Sequence, residues 1–148
     1  MAEGRNIMTL EERLARADSM HRSGGNCAQS AAYALEDLAE IDEETLFRVM
    51  EGFGGGMGGR DATCGAVSGA VAIAGLVRSG GSPEAGTKKD TYKLSKEIVS
   101  EFKEQNGSIV CRELKGLDTG RLLRSCPDCI HDAVRIAVHV LEEEQDLS

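Results

Sequence analysis

Five cysteines carry the chemistry this sequence offers: Cys27, Cys64, Cys111, Cys126 and Cys129. Thiolates act as nucleophiles, redox couples and metal ligands, and the pKa of each thiol sets which role it can take. The spacing is wide except in Cys126-Pro127-Asp128-Cys129. Alone, that C-x-x-C would suggest a thioredoxin-like pair, but such a pair belongs in a βαβ context. No alternating strand is present, and Pro83 and Pro127 are the only prolines, so the separate proline loop of such sites is missing. A c-type haem site needs C-x-x-C-H, and here Ile130 stands between Cys129 and His131. Zinc could use four thiolates, or three with an imidazole. Structural zinc sites usually come as two close pairs, however, and only one close pair exists. An iron–sulfur cluster tolerates ligands from separate loops better.

Half of the eighteen glycines fall between Gly52 and Gly75, around Cys64. Glycine is needed where φ is positive or where another backbone or a ligand comes close, and its entropic cost points to a constrained site. Gly54, Gly56 and Gly59 formally match G-x-G-x-x-G. That dinucleotide fingerprint requires a strand before it and an acid about 20 residues on. An amphipathic helix precedes it here, and Glu84 follows an apolar helix, so nucleotide binding is disfavoured.

The elements that would position the cysteines follow from helical periodicity. Thr9 and Glu12 form a capping box for a helix with Leu10, Leu14 and Ala17 on one face, ended by Ser23-Gly24-Gly25. Asn26 caps a helix over Cys27–Leu38 whose Ala28, Ala31, Ala32 and Leu35 make a small-residue face. Asp42 caps Glu43–Glu51, with Leu46, Phe47, Val49 and Met50 as its candidate core. The glycine loop Phe53–Arg60 leads to a helix over Cys64–Val77, capped by Thr63 or Asp61. Ser82-Pro83-Glu84 starts a long helix to Asn106 bearing Leu94, Ile98, Val99 and Phe102. Cys111–Gly116 reads as a short helical turn. Pro127 at the first helical position would put Cys126 at the cap of a last helix, with Val134, Ala137, Val138 and Leu141 inward. His131, Arg135 and His139 share one face of it and read as exposed.

These patterns predict an all-α fold: a single domain over 1–148, a bundle of five to six helices with a glycine-rich loop. Scarce aromatics agree, since a β-sandwich would want more of them. The net charge of -8 disfavours nucleic acid, which requires clustered Lys and Arg. Glu142, Glu143, Glu144 and Asp146 read as a solvated tail. The longest apolar stretch, Ala62–Val77, is shorter than the ~20 residues of a membrane span. The N-terminal stretch has no apolar run, so no signal peptide is expected and the chain reads as cytoplasmic.

On this reading Cys27, Cys64, Cys126 and Cys129 all fall at helix N-termini, and Cys111 begins a short turn. The dipole and unpaired amides there favour thiolate. Cys27 and Cys64 are therefore expected to have depressed pKa values and to be the attacking thiols, with Arg60 adding positive potential beside Cys64.

The residues Asn26-Cys27-Ala28-Gln29-Ser30, Gly52-Phe53-Gly54-Gly55-Gly56-Met57-Gly58-Gly59-Arg60, Thr63-Cys64-Gly65-Ala66-Val67-Ser68-Gly69-Ala70 and Cys111-Arg112-Glu113-Leu114 stand in this order. With a final cysteine before the last helix, the chain resembles the redox-active proteins named for their C_GCAxxG_C_C pattern, over nearly its whole length. The family name writes Gly before Cys, whereas this chain reads Cys64-Gly65-Ala66-x-x-Gly69. The fourth family cysteine is Cys126 or Cys129; Cys126 is preferred from its position, leaving Cys129 as an extra. The resemblance implies redox activity without an assigned reaction. It also implies an iron–sulfur centre, through a similar segment in split-Soret cytochromes, and a transport-associated partner.

The expectation is a redox protein whose Cys27, Cys64, Cys111 and Cys126 converge on one site. Gly54, Gly55, Gly56, Gly58, Gly59 and Arg60 would bring backbone amides and charge toward sulfur or a bound anion. The thiols, Cys129 included, would hold iron–sulfur or another metal, or pairs would cycle between dithiol and disulfide. The alternative is a non-catalytic helical module with buried, inert cysteines. It would bind a protein partner or form a homodimer through the smooth Gly65-x-x-x-Gly69 helix.

Overall fold

The computed structural model describes residues 8–147, with side chains through 142. Seven α-helices run through the described residues: α1 (Leu10–Arg22), α2 (Cys27–Leu35), α3 (Glu43–Glu51), α4 (Gly65–Arg78), α5 (Lys88–Asn106), α6 (Cys111–Lys115) and α7 (Cys126–Leu147). The fold is all-helical, and among the described residues the only sheet-like pairing is one antiparallel bridge, Thr63 with Val110. The number exceeds the expected five to six because Cys111–Lys115 closes a true helical turn, ended by the left-handed Gly116. The tail expected at Glu143, Glu144 and Asp146 lies outside the described side chains, while Glu142 is exposed.

The bundle is built around α2, in which every residue but Tyr33 is buried. It packs on α1, α3, α7 and most extensively α4. Small residues make the α2–α4 approach possible: a Cβ at Gly69 would lie 2.6 Å from the Ala28 carbonyl and 3.3 Å from the Ala31 Cβ. The smooth face from which a homodimer was expected is thus covered within the chain. Asn26 caps α2 through the Gln29 amide, Gln29 reaches back to the Asn26 amide, and Asn26 Nδ2 donates to the Glu51 carbonyl at the end of α3. One residue so fixes two helix ends. Arg13, almost fully buried, clamps α1 to the end of α2 through the Ala34 carbonyl and the Asp37 carboxylate. Arg16 stacks over the Tyr33 ring and pairs with Glu36 at 2.7 Å.

Several local expectations change. Phe47 and Val49 are exposed, since α3 buries only Leu46 and Met50. The helix expected from Pro83 breaks after a three-residue turn, where Gly86 turns left-handed (φ 65°), and α5 starts at Lys88. Cys64 itself occupies the cap position of α4, in place of Thr63 or Asp61. Ser125, not Cys126, caps α7: its hydroxyl accepts from the Asp128 amide, so Cys126 is the first helical residue. Between α3 and α4 the chain winds through a five-residue π-type turn, Gly56–Arg60, broken by left-handed Met57 (φ 61°). His131 is half-buried and pairs with Asp18 of α1 at 2.7 Å, while Arg135 and His139 are exposed as expected.

Candidate functional site

The N-terminal ends of four helices meet at the cysteines. Cys27 opens α2, Cys64 caps α4, Cys111 opens α6, and Cys126 with Cys129 forms the first turn of α7. The single bridge joins two of these starts. The Cys64 amide donates to the Ile109 carbonyl at 2.6 Å and the Cys111 amide to the Ala62 carbonyl at 2.9 Å. Five thiols spread over a hundred residues of sequence are thereby brought to one place, and all five are unpaired.

Three sulfurs are coupled in a row, with Cys64 acting on both Cys27 and Cys129. The Cys129 thiol itself donates to the Arg124 carbonyl at 3.9 Å. The hydrogen bond to Cys64, helped by burial, pushes the Cys27 thiol far above its ordinary value. Cys64 is pushed up to about 12, mainly by its hydrogen bond with Cys129 and by burial. Burial raises Cys111. Cys129 alone of these four is lowered, first by its hydrogen bond with Cys64 and then by the charge of Lys115, against the opposing effect of burial. The depressed thiol is therefore Cys129, and the expectation for Cys27 and Cys64 is reversed. Backbone amides do reach both sulfurs, Gly55 from the segment between α3 and α4 on Cys27 and Ala66 from the first turn of α4 on Cys64. Their effect is outweighed by the neighbouring sulfur and by burial.

Access separates the five further. Cys27, Cys64, Cys111 and Cys129 are buried, Cys129 completely, and Cys126 is half-exposed. Cys126 is thus the sulfur a reagent meets first, and Cys129 lies one helical turn behind it. The residue set aside as the extra cysteine is the one in contact with Cys64. Lys115, which sequence reasoning passed over, stands beside these sulfurs. Burial would lower its pKa, but the hydrogen bond to Cys126 and the negative potential of the neighbouring sulfurs raise it, and its Nζ donates to the Arg124 carbonyl at 3.5 Å. Its one sequence signal is the four-residue spacing from Cys111, which puts both on one face of α6.

The glycines have divided roles. A Cβ at Gly65 would meet Cys27 Sγ at 2.7 Å, and one at Gly56 would meet the Cys111 Cβ at 2.6 Å. Gly54 leaves room for the Asn26 side chain. Gly58 and Gly59 face open space, with at most the Asp61 carboxylate nearby. Arg60 acts on Cys111 rather than on Cys64, lowering it through charge. Gly54, Gly56 and Gly65 therefore allow helix ends and sulfurs to approach one another, while Gly55 supplies a left-handed turn (φ 62°).

A metal is the other use five thiols allow. Among the described residues, no three or more Cys, His, Asp or Glu side chains stand so as to hold one ion. No helix among the described residues is long and apolar enough to cross a membrane. A family model described as "Putative redox-active protein (C_GCAxxG_C_C)" matches residues 25–140. No curated protein and no solved structure matches the chain.

Proposed function

Since the chain belongs to the C_GCAxxG_C_C redox-active family, we propose that it carries electron pairs as a dithiol–disulfide couple, with Cys126 and Cys129 as the reacting pair. The observation that carries this reading is the order of access: a half-exposed Cys126, a fully buried Cys129 one turn behind, and Lys115 beside both. This reading keeps Cys27, Cys64, Cys111 and Cys126 in one thiol group and adds Cys129 as half of the reacting pair.

The exchange is written with a disulfide R–S–S–R as oxidant. Cys126 Sγ, as thiolate with its charge met by Lys115, attacks one sulfur. The S–S bond breaks, one R–S⁻ leaves and takes a proton, and a Cys126–S–S–R mixed disulfide remains. Cys129, whose pKa is lowered by contact with Cys64 and by the charge of Lys115, loses its proton, attacks Cys126 Sγ and expels the second R–S⁻, which takes that proton. The protein ends with a Cys126–Cys129 disulfide, two electrons and two protons having passed to two R–SH. Neighbours at i and i+3 on a helix have Cβ atoms about 5–6 Å apart, and a disulfide needs about 3.5–4.5 Å, so the first turn of α7 must tighten. Cys64, itself in contact with Cys27, lowers the pKa of Cys129. The family description fits this role, and a redox partner protein bearing a disulfide or dithiol is its natural counterpart.

Reaction with dithiobis(nitrobenzoate) tests the assignment. The wild-type protein should release two thionitrobenzoate ions in a fast phase. Cys129→Ser should release one and retain the mixed disulfide at Cys126, and Cys126→Ser should lose the fast phase. A Cys126→Ser protein that reacts like wild type removes the assignment. Anaerobic purification with a visible spectrum and iron and sulfide analysis checks the other chemistry. A brown protein with iron and acid-labile sulfide would replace the couple with a cluster.

A further inference from the structure

A second feature lies away from the sulfurs. An open trough with a volume of about 1010 Å³ runs between α3, the end of α4 and the start of α5, and none of the cysteines lines it. Small-molecule sites commonly span about 300–1,000 Å³. Val49, Leu76 and Tyr92, three of the large apolar side chains exposed at the surface, gather in it. Isolated exposed apolar residues need no reason, but a grouped set in a concavity does. Its lining includes Lys88 and Lys89 and no carboxylate, on a chain whose net charge is -8.

Both lysines open α5, where the first amides have no intrahelical partner and the helix dipole is positive. Thr87 precedes them without capping them: its hydroxyl accepts from the Gly80 amide instead. Thr91 Oγ1, on the trough wall, is buried with no hydrogen-bond partner among the described residues. The trough thus offers an apolar floor and a cationic mouth with donors to spare.

We propose that this trough binds an amphiphile with an anionic head, a long-chain carboxylate. Its tail lies along Val49, Leu76 and Tyr92, and its carboxylate meets Lys88, Lys89 and the start of α5. The binding is non-covalent and independent of the thiol chemistry. The charge at the mouth selects the head group, and the apolar walls supply most of the attraction.

Calorimetric titration with laurate and with dodecyltrimethylammonium, each below its micelle concentration, tests this. Laurate should bind once per chain and at least tenfold more tightly than the cation of the same tail length. Reversing the mouth with Lys88→Glu and Lys89→Glu should remove that preference, and Leu76→Asp should abolish laurate binding. These positions are on the surface, and unchanged far-ultraviolet circular dichroism confirms that each variant is folded. Absence of laurate binding, equal affinity for both amphiphiles, or unchanged preference in the lysine variants overturns the proposal. So does a dimer in light scattering that laurate does not disperse, which would give the trough to a second copy of the chain.

Discussion

At the scale of single residues, burial and the neighbouring sulfur override helix position. Cys27 and Cys64 both sit where a helix start favours thiolate, yet contact with another sulfur and burial push both pKa values up, while Cys129, beside Cys64 and Lys115, is pushed down. Iodoacetamide should therefore modify Cys126 first in the native protein. The four buried thiols should react only after denaturation, and peptide mapping by mass spectrometry reads the order. Fast native labelling of Cys27 would contradict its burial. The same protonation states make stability depend on pH. Cys27, Cys64 and Cys111 hold their protons above the ordinary thiol value of 9.0, while the unfolded chain releases them near it. Their contribution is full below about pH 9 and is lost as pH rises beyond it, by about 1.4 kcal/mol per pH unit for each proton withheld. Cys129 has the opposite sign: its contribution is present above that value and is lost as pH falls through its lowered pKa. Three against one, the urea midpoint should fall as pH rises above about 9. The fall should be smaller in a Cys27→Ala variant.

At the scale of elements, the glycines separate by what surrounds them. Gly65 lies against Cys27 Sγ and the Phe53 carbonyl, at 2.7 and 3.0 Å from an added Cβ. Gly65→Ala should destabilise by about 1–3 kcal/mol, the range for forcing an extra carbon into a packed interior. It should also disturb the row of sulfurs. Gly75, on the same helix, has nothing within 4 Å of an added Cβ. Gly75→Ala should stabilise by about 0.4–1 kcal/mol, because alanine restricts the unfolded chain and fits the helix. Paired denaturation curves measure both, and equal effects would mean that the α2–α4 approach is looser than the structure has it. Asn26 is legible as a cap from sequence. Its second bond, to the Glu51 carbonyl, is not, because the end of α3 is twenty-five residues away and only packing brings it there.

At the scale of the whole molecule, the bundle is held by a central helix of small residues and by cations that reach across it. Arg13 is almost fully buried against Asp37 and the Ala34 carbonyl. Arg13→Met should cost about 3 kcal/mol, near the low end for breaking a buried pair, because Asp37 keeps some contact with water. Chemical denaturation reads that loss directly. A loss below about 1 kcal/mol would place the pair among solvent-screened ones. The trough and the cysteines occupy different parts of the bundle, so laurate should leave the rate of the Cys126 reaction unchanged.

The sequence by itself determined the helical class, most helix ends and the placement of all five cysteines in or beside first turns. Periodicity, capping residues and glycine stops act within a few residues and so are written locally. Long pairings were not legible: Cys27 to Cys64, Cys64 to Cys129, and Lys115 to Cys126 join residues whose proximity depends on how helices pack. Tertiary structure also decided that Cys129 is fully buried while Cys126 meets solvent, since adjacent turns of one helix differ in exposure only once a neighbouring helix covers one of them. Local geometry put every thiol where a thiolate is favoured. Packing then separated them, because burial and a neighbouring sulfur raise Cys27 and Cys64 while Cys64 and Lys115 lower Cys129.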